Sequence, residues 1–308
     1  MKNNKISFVI GLIIMISVLC CACNNNSDKQ TFPPAEEYSN EVQVIVLLGQ
    51  SNAEGHTHSR YLTKTVGAEK AALYASGFDN VNICYANTID ENTSNGEFLP
   101  VKTGQGHSAG QFGPEVGMAE VISNAAPRKK VCIIKYAYGA TSLSNQWRSP
   151  SSGATGYLYT NAVEYIIGQC KKLEDIELYP VIKAVCWMQG ENDAGGQDYA
   201  SYKMLEGNFV KDLRKALEYY KPTESEIGFV DAAISDCIAW THYTEINNAK
   251  KLLAEQDEYH IFINTIDAGL RYNAEPVGAP DIYHYDSASE IKLGQLFAEI
   301  LTSRFLEI

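Results

Sequence analysis

The feature that most constrains the fold is a regular alternation of short apolar runs with longer helical patterns. Apolar runs of strand length lie at 42–48, 81–85, 131–136, 182–188, 227–232 and 260–264. Helical patterns lie at 113–124, 157–172, 199–220, 245–255 and 288–305. This alternation is typical of a parallel sheet that is covered by helices on both faces. The sequence therefore predicts an α/β fold with a central, mostly parallel sheet.

The start of the chain differs in composition from the rest. Two lysines precede an apolar, uncharged run at 6–19, which is typical of a secretory signal. The segment Cys20-Cys21-Ala22-Cys23 follows and resembles the lipidation box of bacterial lipoproteins. We expect residues 1–22 to be a lipoprotein signal peptide and Cys23 to carry the lipid. Cleavage before Cys21, and a plain secretory signal without lipid, remain alternatives.

The segment after the signal is predicted to be a tether. Residues 23–40 are polar, contain two adjacent prolines and have no apolar period. Residues 41–308 are enough for one large domain, and no stretch within them approaches the roughly 20 apolar residues of a membrane-spanning helix. We therefore expect an extracytoplasmic protein that meets the membrane only through its N-terminal lipid anchor. The sequence does not predict its oligomeric state.

The charge balance limits the partners. The formal net charge is −12, from 25 Lys and Arg against 37 Asp and Glu. The largest basic block is Arg128-Lys129-Lys130, which we interpret as a solvated turn between a helix and a strand. Nucleic acids and anionic membrane surfaces are therefore poor partner candidates.

The cysteines beyond the first 40 residues are odd in number and contain no close C-x-x-C pair. They are Cys84, Cys132, Cys170, Cys186 and Cys237. Cys132 and Cys186 lie inside predicted strands, where a thiol packs as a small apolar group, so we expect them in the core. A disulfide is possible outside the cytoplasm, but the sequence does not select its partners.

Ser51 lies directly after the first predicted strand, in Gly49-Gln50-Ser51-Asn52. In an open parallel sheet, functional groups collect at the carboxyl ends of the strands. Gly49 allows a sharp turn that would expose the serine hydroxyl, which becomes a nucleophile when a base takes its proton. Ser51 is thus a candidate nucleophile, although a serine here could also serve only as a helix cap.

Asp281 and His284 lie three residues apart before the last predicted helix. A carboxylate can fix the tautomer of an imidazole and stabilise its cation, so this pair suits a general base. The neighbouring acid favours His284 over the other histidines, at 56, 58, 107, 242 and 260. Of these, His56 and His58 lie just after Ser51 and could line a pocket or have no role.

Two further strand ends carry candidate hydrogen-bond donors. Gly139 could turn its N–H toward an oxyanion, and Gln189 could donate its side-chain amide. Each could instead be an ordinary turn or strand-end residue. Glu191 and Asp193 could suggest a glycosidase pair, but they share one loop and would not readily flank a substrate. No His or Cys pair has metal-ligand spacing, so no metal is expected.

Together these segments resemble the SGNH hydrolase superfamily, and within it the sialate O-acetylesterase and acetylxylan esterase branch. The matching segments are 48–52, 112–115, 135–143, 187–193 and 281–286, with the glycine of 291–294. The resemblance implies a three-layer α/β/α sandwich like that of flavodoxin, with no cofactor and no metal. It also implies that Ser51 is the nucleophile, His284 the base and Asp281 its orienting acid. The oxyanion hole would combine the N–H groups of Ser51 and Gly139 with the Gln189 amide.

The resemblance further implies a serine esterase that removes O-acetyl groups from carbohydrates, either acetylated sialic acid or acetylated xylan and similar plant glycans. Substrate contacts would come from Asn52, Glu191, Tyr138 and Tyr283. A non-catalytic glycan-binding lipoprotein on the same fold is an alternative, as is a lipase or thioesterase of the same superfamily. The polar loops that follow the candidate nucleophile argue against a long acyl groove.

Three positions depart from the pattern of that branch. Ala53 stands where methionine is frequent, Asn192 where serine is frequent, and Ala140 where glycine is frequent. We expect these changes to alter the pocket and to leave the three proposed catalytic residues intact.

Overall fold

The computed structural model describes residues 40–87 and 92–308, so the predicted signal peptide, Cys23 and nearly all of the predicted tether lie outside the described residues. The strands in the described part are β1 (Glu41–Gly49), β2 (Thr57–His58), β3 (Phe78–Ala86), β4 (Leu99–Val101), β5 (Gln111–Phe112), β6 (Val131–Ala137), β7 (Tyr179–Met188), β8 (Gly228–Ala232) and β9 (His260–Ile263). The helices are α1 (Ser51–Glu54), α2 (Leu62–Val66), α3 (Ala68–Ser76), α4 (Glu115–Ala125), α5 (Tyr157–Glu174), α6 (Glu191–Gly195), α7 (Tyr202–Ala216), α8 (Tyr243–Ala254) and α9 (Ser287–Arg304).

The main sheet has the strand order β4-β3-β6-β1-β7-β8-β9. Every pairing in it is parallel except that of the edge strand β4 with β3. Strand β1 lies at the centre, and its residues 42–49 are all buried because helices cover both faces of the sheet. This explains why its sequence is almost continuously apolar. The prediction of a mostly parallel sheet is confirmed.

Helices cover this sheet in two layers, with α4 packed against α9 and α7 packed against α8. The α4–α9 contact is close because Gly294 has no side chain. A Cβ at Gly294 would lie 2.0 Å from the carbonyl oxygen of Pro114 at the start of α4. The three-layer α/β/α sandwich follows from this arrangement. No helix in the described ranges is both long and apolar enough to cross a membrane.

The sequence prediction missed the short elements and one helix. Strands β2, β4 and β5 have only two or three residues, too few to show a period of two. Helix α3 consists of good helix formers, but Tyr74 is its single buried residue, so its apolar stripe is weak. The five cysteines of the described part are all buried and unpaired, and Cys132 and Cys186 lie in the core as predicted.

The register of the central strands positions the functional loops. Gly49 at the end of β1 pairs with Ala137 of β6 on one side and with Met188 of β7 on the other. The three strands therefore end level with one another. The loops that follow them begin at the same edge of the sheet, where open α/β sheets bind their ligands.

Candidate active site

Ser51 is positioned by a tight turn at the end of β1. Gly49 has φ +144°, and a Cβ there would lie 2.0 Å from the carbonyl oxygen of Met188, so only glycine fits. The N–H of Gln50 donates to that carbonyl at 3.0 Å, and the N–H of Tyr138 donates to the carbonyl of Gly49 at 3.0 Å. Ser51 is consequently the first residue of α1, held between the ends of β6 and β7.

Asp281 and His284 form a hydrogen-bonded pair in the long loop before α9. Asp281 Oδ2 lies 2.6 Å from His284 Nδ1, and Asp281 Oδ1 accepts from the N–H of Tyr283 at 2.9 Å. Partial burial acts to raise the pKa of Asp281, but these hydrogen bonds outweigh it and hold the pKa below its ordinary value. The carboxylate therefore stays ionised beside the imidazole. A hydrogen-bonded Nδ1–H leaves Nε2 of His284 as the basic nitrogen.

Asn52 joins the serine turn to the histidine loop. Its Nδ2 donates to the carbonyl of Tyr283 at 3.3 Å, and its Oδ1 accepts from the N–H of Tyr285 at 3.2 Å. These two backbone groups flank His284 on either side. Asn52 is 2 % exposed. It was predicted to contact the substrate, but its placement is instead that of a clamp on the loop that carries the imidazole.

Ser51 and His284 both line a cavity of about 390 Å³ at this edge of the sheet. Gly139, at the start of the loop after β6, lines the same cavity. Ser51, Gly139 and His284 are far apart in the sequence and were predicted to lie close together. All three line this cavity. Within the described residues Ser51 Oγ makes no hydrogen bond to His284, and catalytic hydrogen bonds of this kind often tighten only when substrate binds.

The loop after β6 contains a strained residue. Ala140 lines the cavity with φ +54°, in the left-handed region. A non-glycine residue in that conformation costs about 1–2 kcal/mol. Glycine would adopt the same conformation without this cost.

The side-chain amide of Gln189 points into the protein interior and does not line the cavity. Its Nε2 donates to Asp193 Oδ2 at 2.6 Å and to the carbonyl of Thr141 at 3.1 Å, while its Oε1 accepts from Tyr202. Asp193 also accepts the N–H groups of Leu143 and Ser144. Gln189 was predicted to donate to an oxyanion. Both N–H bonds of its amide are used to hold the loop that follows Gly139.

Glu191 lies under the cavity floor and is fully buried. Its Oε1 accepts from Asn52 Nδ2 at 2.9 Å. Burial raises the pKa of Glu191, and the hydrogen bond from Asn52 offsets only part of that effect. Predicted as a substrate contact, Glu191 instead supports the asparagine clamp from below.

Aromatic side chains occupy one side of the cavity. Trp240 and Tyr283 both line it, with ring centroids 5.6 Å apart. Tyr283 was predicted as a substrate contact and is exposed there, whereas Tyr138 is partly buried against Tyr157 and is not among the lining residues. Asn192 also lines the cavity with an exposed side chain.

Sequence reasoning did not assign a role to a group of side chains beside His284. His56 and His107 line the cavity, and both hydrogen-bond to the fully buried carboxylate of Glu54, at 3.2 Å and 2.9 Å. The sequence feature that could have indicated this group is the high density of polar residues in the loops around 56 and 107. That signal did not show that the two loops meet.

A buried ion pair holds those two loops together. The ammonium group of Lys135 in β6 lies 2.9 Å from Glu115 Oε2, and both side chains are fully buried. The same ammonium donates to the backbone carbonyl of Glu54 at 2.7 Å and to that of Gln105 at 3.1 Å. The segments 112–115 and 135–143 are two of those through which the sequence resembles the SGNH superfamily. Through Glu115 and Lys135 they support the site from below.

Comparison with known proteins places this geometry in a family. The model of a carbohydrate esterase family, the sialic acid-specific acetylesterases, matches residues 41–303. The chain belongs to this family. As a member it is a carboxylic ester hydrolase of the carbohydrate acetylesterase type. A comparison with curated protein sequences finds no match.

Solved structures agree with this fold. A protein of Arabidopsis thaliana is 18 % identical with a TM-score of 0.61, and the alignment covers 86 % of this chain and 100 % of that protein. NanS is 15 % identical with a TM-score of 0.60, and the alignment covers 86 % of this chain and 97 % of NanS. A carbohydrate acetylesterase of Xanthomonas citri is 14 % identical with a TM-score of 0.54. The alignment covers 85 % of this chain and 55 % of that protein.

Proposed function

We propose that the protein removes O-acetyl groups from carbohydrates through an acetyl-enzyme on Ser51. The observation that carries the proposal is that Ser51 and His284 line one cavity at the carboxyl edge of the sheet, with the His284 imidazole hydrogen-bonded to Asp281. A nucleophile, a base and an acid that orients the base are the groups that acyl transfer requires.

In the proposed mechanism His284 Nε2 takes the proton of Ser51 as the serine oxygen attacks the acetyl carbonyl carbon. Asp281 remains ionised and stabilises the imidazolium that forms. The tetrahedral intermediate collapses as His284 passes its proton to the departing sugar oxygen, which leaves an acetyl ester on Ser51. Water, activated in turn by His284, then releases acetate and restores the serine hydroxyl.

The oxyanion is proposed to be held by the backbone N–H groups of Ser51 and Gly139. Loss of one such donor typically costs about 3 kcal/mol, or roughly a hundredfold in rate. Gln189 would act on this hole through the loop that it holds by its bonds to Thr141 and Asp193. We assign the donor role to the backbone because the Gln189 amide is already engaged.

The proposed substrate is an acetylated sugar whose ring packs on Trp240 and Tyr283. Flat aromatic faces suit sugar rings, and a cavity of about 390 Å³ is within the usual size for a small ligand. Acetylated sialic acid and acetylated xylan or similar plant glycan both remain candidates. The family description favours acetylated sialic acid.

We further propose that residues 1–22 are removed, that lipid on Cys23 anchors the protein outside the cytoplasm, and that residues 23–40 tether the domain at 41–308. This location would suit an enzyme that deacetylates extracellular glycans. Labelling with radioactive palmitate, compared between the native protein and Cys23→Ser, tests the anchor.

The deciding experiment measures acetate released from O-acetylated sialic acid and from acetylated xylan, beside Ser51→Ala. We expect release from at least one substrate, with loss of at least a thousandfold in the variant because the nucleophile is gone. Circular dichroism should show that the variant remains folded. A serine-directed fluorophosphonate should label the native protein and not the variant.

Three outcomes would contradict the proposal. Acetate release that persists in Ser51→Ala would place the nucleophile elsewhere. No release from either glycan, together with no labelling of Ser51, would favour the non-catalytic glycan-binding alternative. Labelling of Ser51 with turnover only of long-chain or thioester substrates would favour the lipase or thioesterase alternative.

A further inference from the structure

Three histidine rings form a stack along one wall of the cavity. The rings of His56 and His284 have centroids 4.3 Å apart and planes 12° apart. On its other face His56 stacks on His107, with centroids 4.2 Å apart and planes 16° apart. His56 thus lies between the proposed general base and a second imidazole.

Buried groups fix the outer part of this stack. Glu54, with no exposed surface, binds His56 Nε2 through one carboxylate oxygen and His107 Nδ1 through the other. The backbone of Glu54 is in turn bonded to the ammonium of Lys135, which also holds the loop before His107. The position of His56 is therefore determined by the interior of the protein and not by solvent.

Glu54, His56 and His107 are also residue types that bind zinc, and their ligand atoms lie within 4.8 Å of one another. The lone pair of an imidazole nitrogen lies in the ring plane, so two imidazoles can share an ion only where their planes meet. The planes of His56 and His107 lie face to face and only 16° apart, so their lone pairs run side by side. The stacked geometry of His56 and His107 therefore favours contact between the rings over joint binding of a metal ion.

We propose that His56 is a positioning residue for His284: its ring, clamped by Glu54 and His107, fixes the base in place and stabilises the imidazolium that forms during catalysis. The inference rests on the proposed function, because it takes His284 as the base. In the reaction the proton moves from Ser51 to His284 and back to the leaving oxygen, and His56 takes no part in that transfer.

The charge state of His56 decides the sign of its effect. Burial lowers the pKa of His56, the hydrogen bond to Glu54 opposes this, and the charge of His284 lowers the pKa further. His56 is therefore neutral at neutral pH. A cation over the face of a neutral aromatic ring is stabilised, whereas two stacked cations repel each other. The groups that face His56 are Glu54, His107 and His284.

The test uses two substitutions that separate the ring from the hydrogen bond. His56→Gln keeps a hydrogen bond to Glu54 but loses the ring, whereas His56→Phe keeps a flat ring but loses the hydrogen bond. With p-nitrophenyl acetate as the probe, we expect kcat to fall roughly three- to thirtyfold in His56→Gln, with KM little changed. His56→Phe should keep kcat within about threefold of the native value. Rates are normalised to the fraction of Ser51 labelled by fluorophosphonate, which corrects for misfolded protein.

The acid limb of the pH profile of kcat/KM distinguishes the proposed role of His56 from a purely structural one, which would leave its slope unchanged. The slope of log kcat/KM should be steeper at the acid end in the native protein, because protonation of His56 there places a second cation against the imidazolium that forms on His284. It should stay at about one in His56→Phe, where a single imidazole of the pair remains. His58→Gln is the matched control, since His58 lies two residues away and does not line the cavity. It should behave as the native protein in both measurements.

The proposal is overturned if His56→Gln matches the native protein, if His56→Phe loses as much kcat as His56→Gln, or if the acid slopes are equal. An inactive native protein whose Ser51 is not labelled would instead contradict the proposed function itself. The two failures are therefore distinguishable.

Discussion

Glu191 is a residue whose environment disfavours its ordinary charge. It is fully buried under the cavity and receives a hydrogen bond from Asn52, yet burial still raises its pKa. A carboxyl group with a raised folded pKa destabilises the folded state increasingly as the pH rises above its unfolded value of about 4.3, and this penalty levels off above the folded pKa. The same carboxyl group accepts the hydrogen bond that Asn52 donates beside His284.

We therefore expect Glu191→Gln to be more stable than the native protein at pH 8 and to lose that advantage at pH 4. Glutamine still accepts the hydrogen bond from Asn52 but carries no charge. Urea unfolding at the two pH values measures the difference, and an advantage that is independent of pH would contradict the argument. Acetate release should stay within about tenfold of native, because Glu191 does not line the cavity. A glycosidase centred on Glu191 would lose its activity.

At the scale of elements, strand β6 supports the site through a single ammonium group. Lys135 bonds to Glu115 at the start of α4, to the carbonyl of Glu54 at the end of α1 and to the carbonyl of Gln105, so it joins three segments under the histidine stack. A buried ion pair is weak support for stability when both partners are compared with apolar residues. Removal of one partner is costly, because the other charge is left buried and alone.

Lys135→Met should accordingly lower the free energy of unfolding by about 3–5 kcal/mol, measured by urea denaturation. The double variant Lys135→Met with Glu115→Leu should recover part of that loss. Lys292→Met serves as the control, since its partner Glu299 is on the surface and such pairs contribute about 0–1 kcal/mol. Losses of equal size in Lys135→Met and Lys292→Met would show that the buried pair has no special role.

For the whole molecule, the described domain depends on packing and hydrogen bonds and not on cross-links. All five described cysteines are buried and free. We expect the unfolding midpoint to be the same with and without dithiothreitol, as measured by differential scanning calorimetry. A midpoint that falls in reductant would reveal a disulfide that contributes to stability.

The sequence predicted the sheet and the position of Ser51, Gly139 and His284 because both depend on one rule, the convergence of strand ends at one edge. It did not predict the histidine stack, because His56 and His107 lie 51 residues apart in the sequence. Their loops come together only because Lys135 binds the backbone beside each of them. The direction in which Gln189 points was also beyond the sequence. A strand-end amide can face the cavity or the interior, and the interior bonds to Thr141 and Asp193 decide between them.

The hydrogen bonds between Asn52 and the backbone beside His284 have a consequence for biosynthesis. A ribosome that has completed β9 has already made the serine turn and every strand of the sheet, but not the proposed base. The growing polypeptide therefore cannot cleave an ester until the loop before α9 has emerged and docked on Asn52. On the proposed assignment, activity is the last property that the nascent chain acquires.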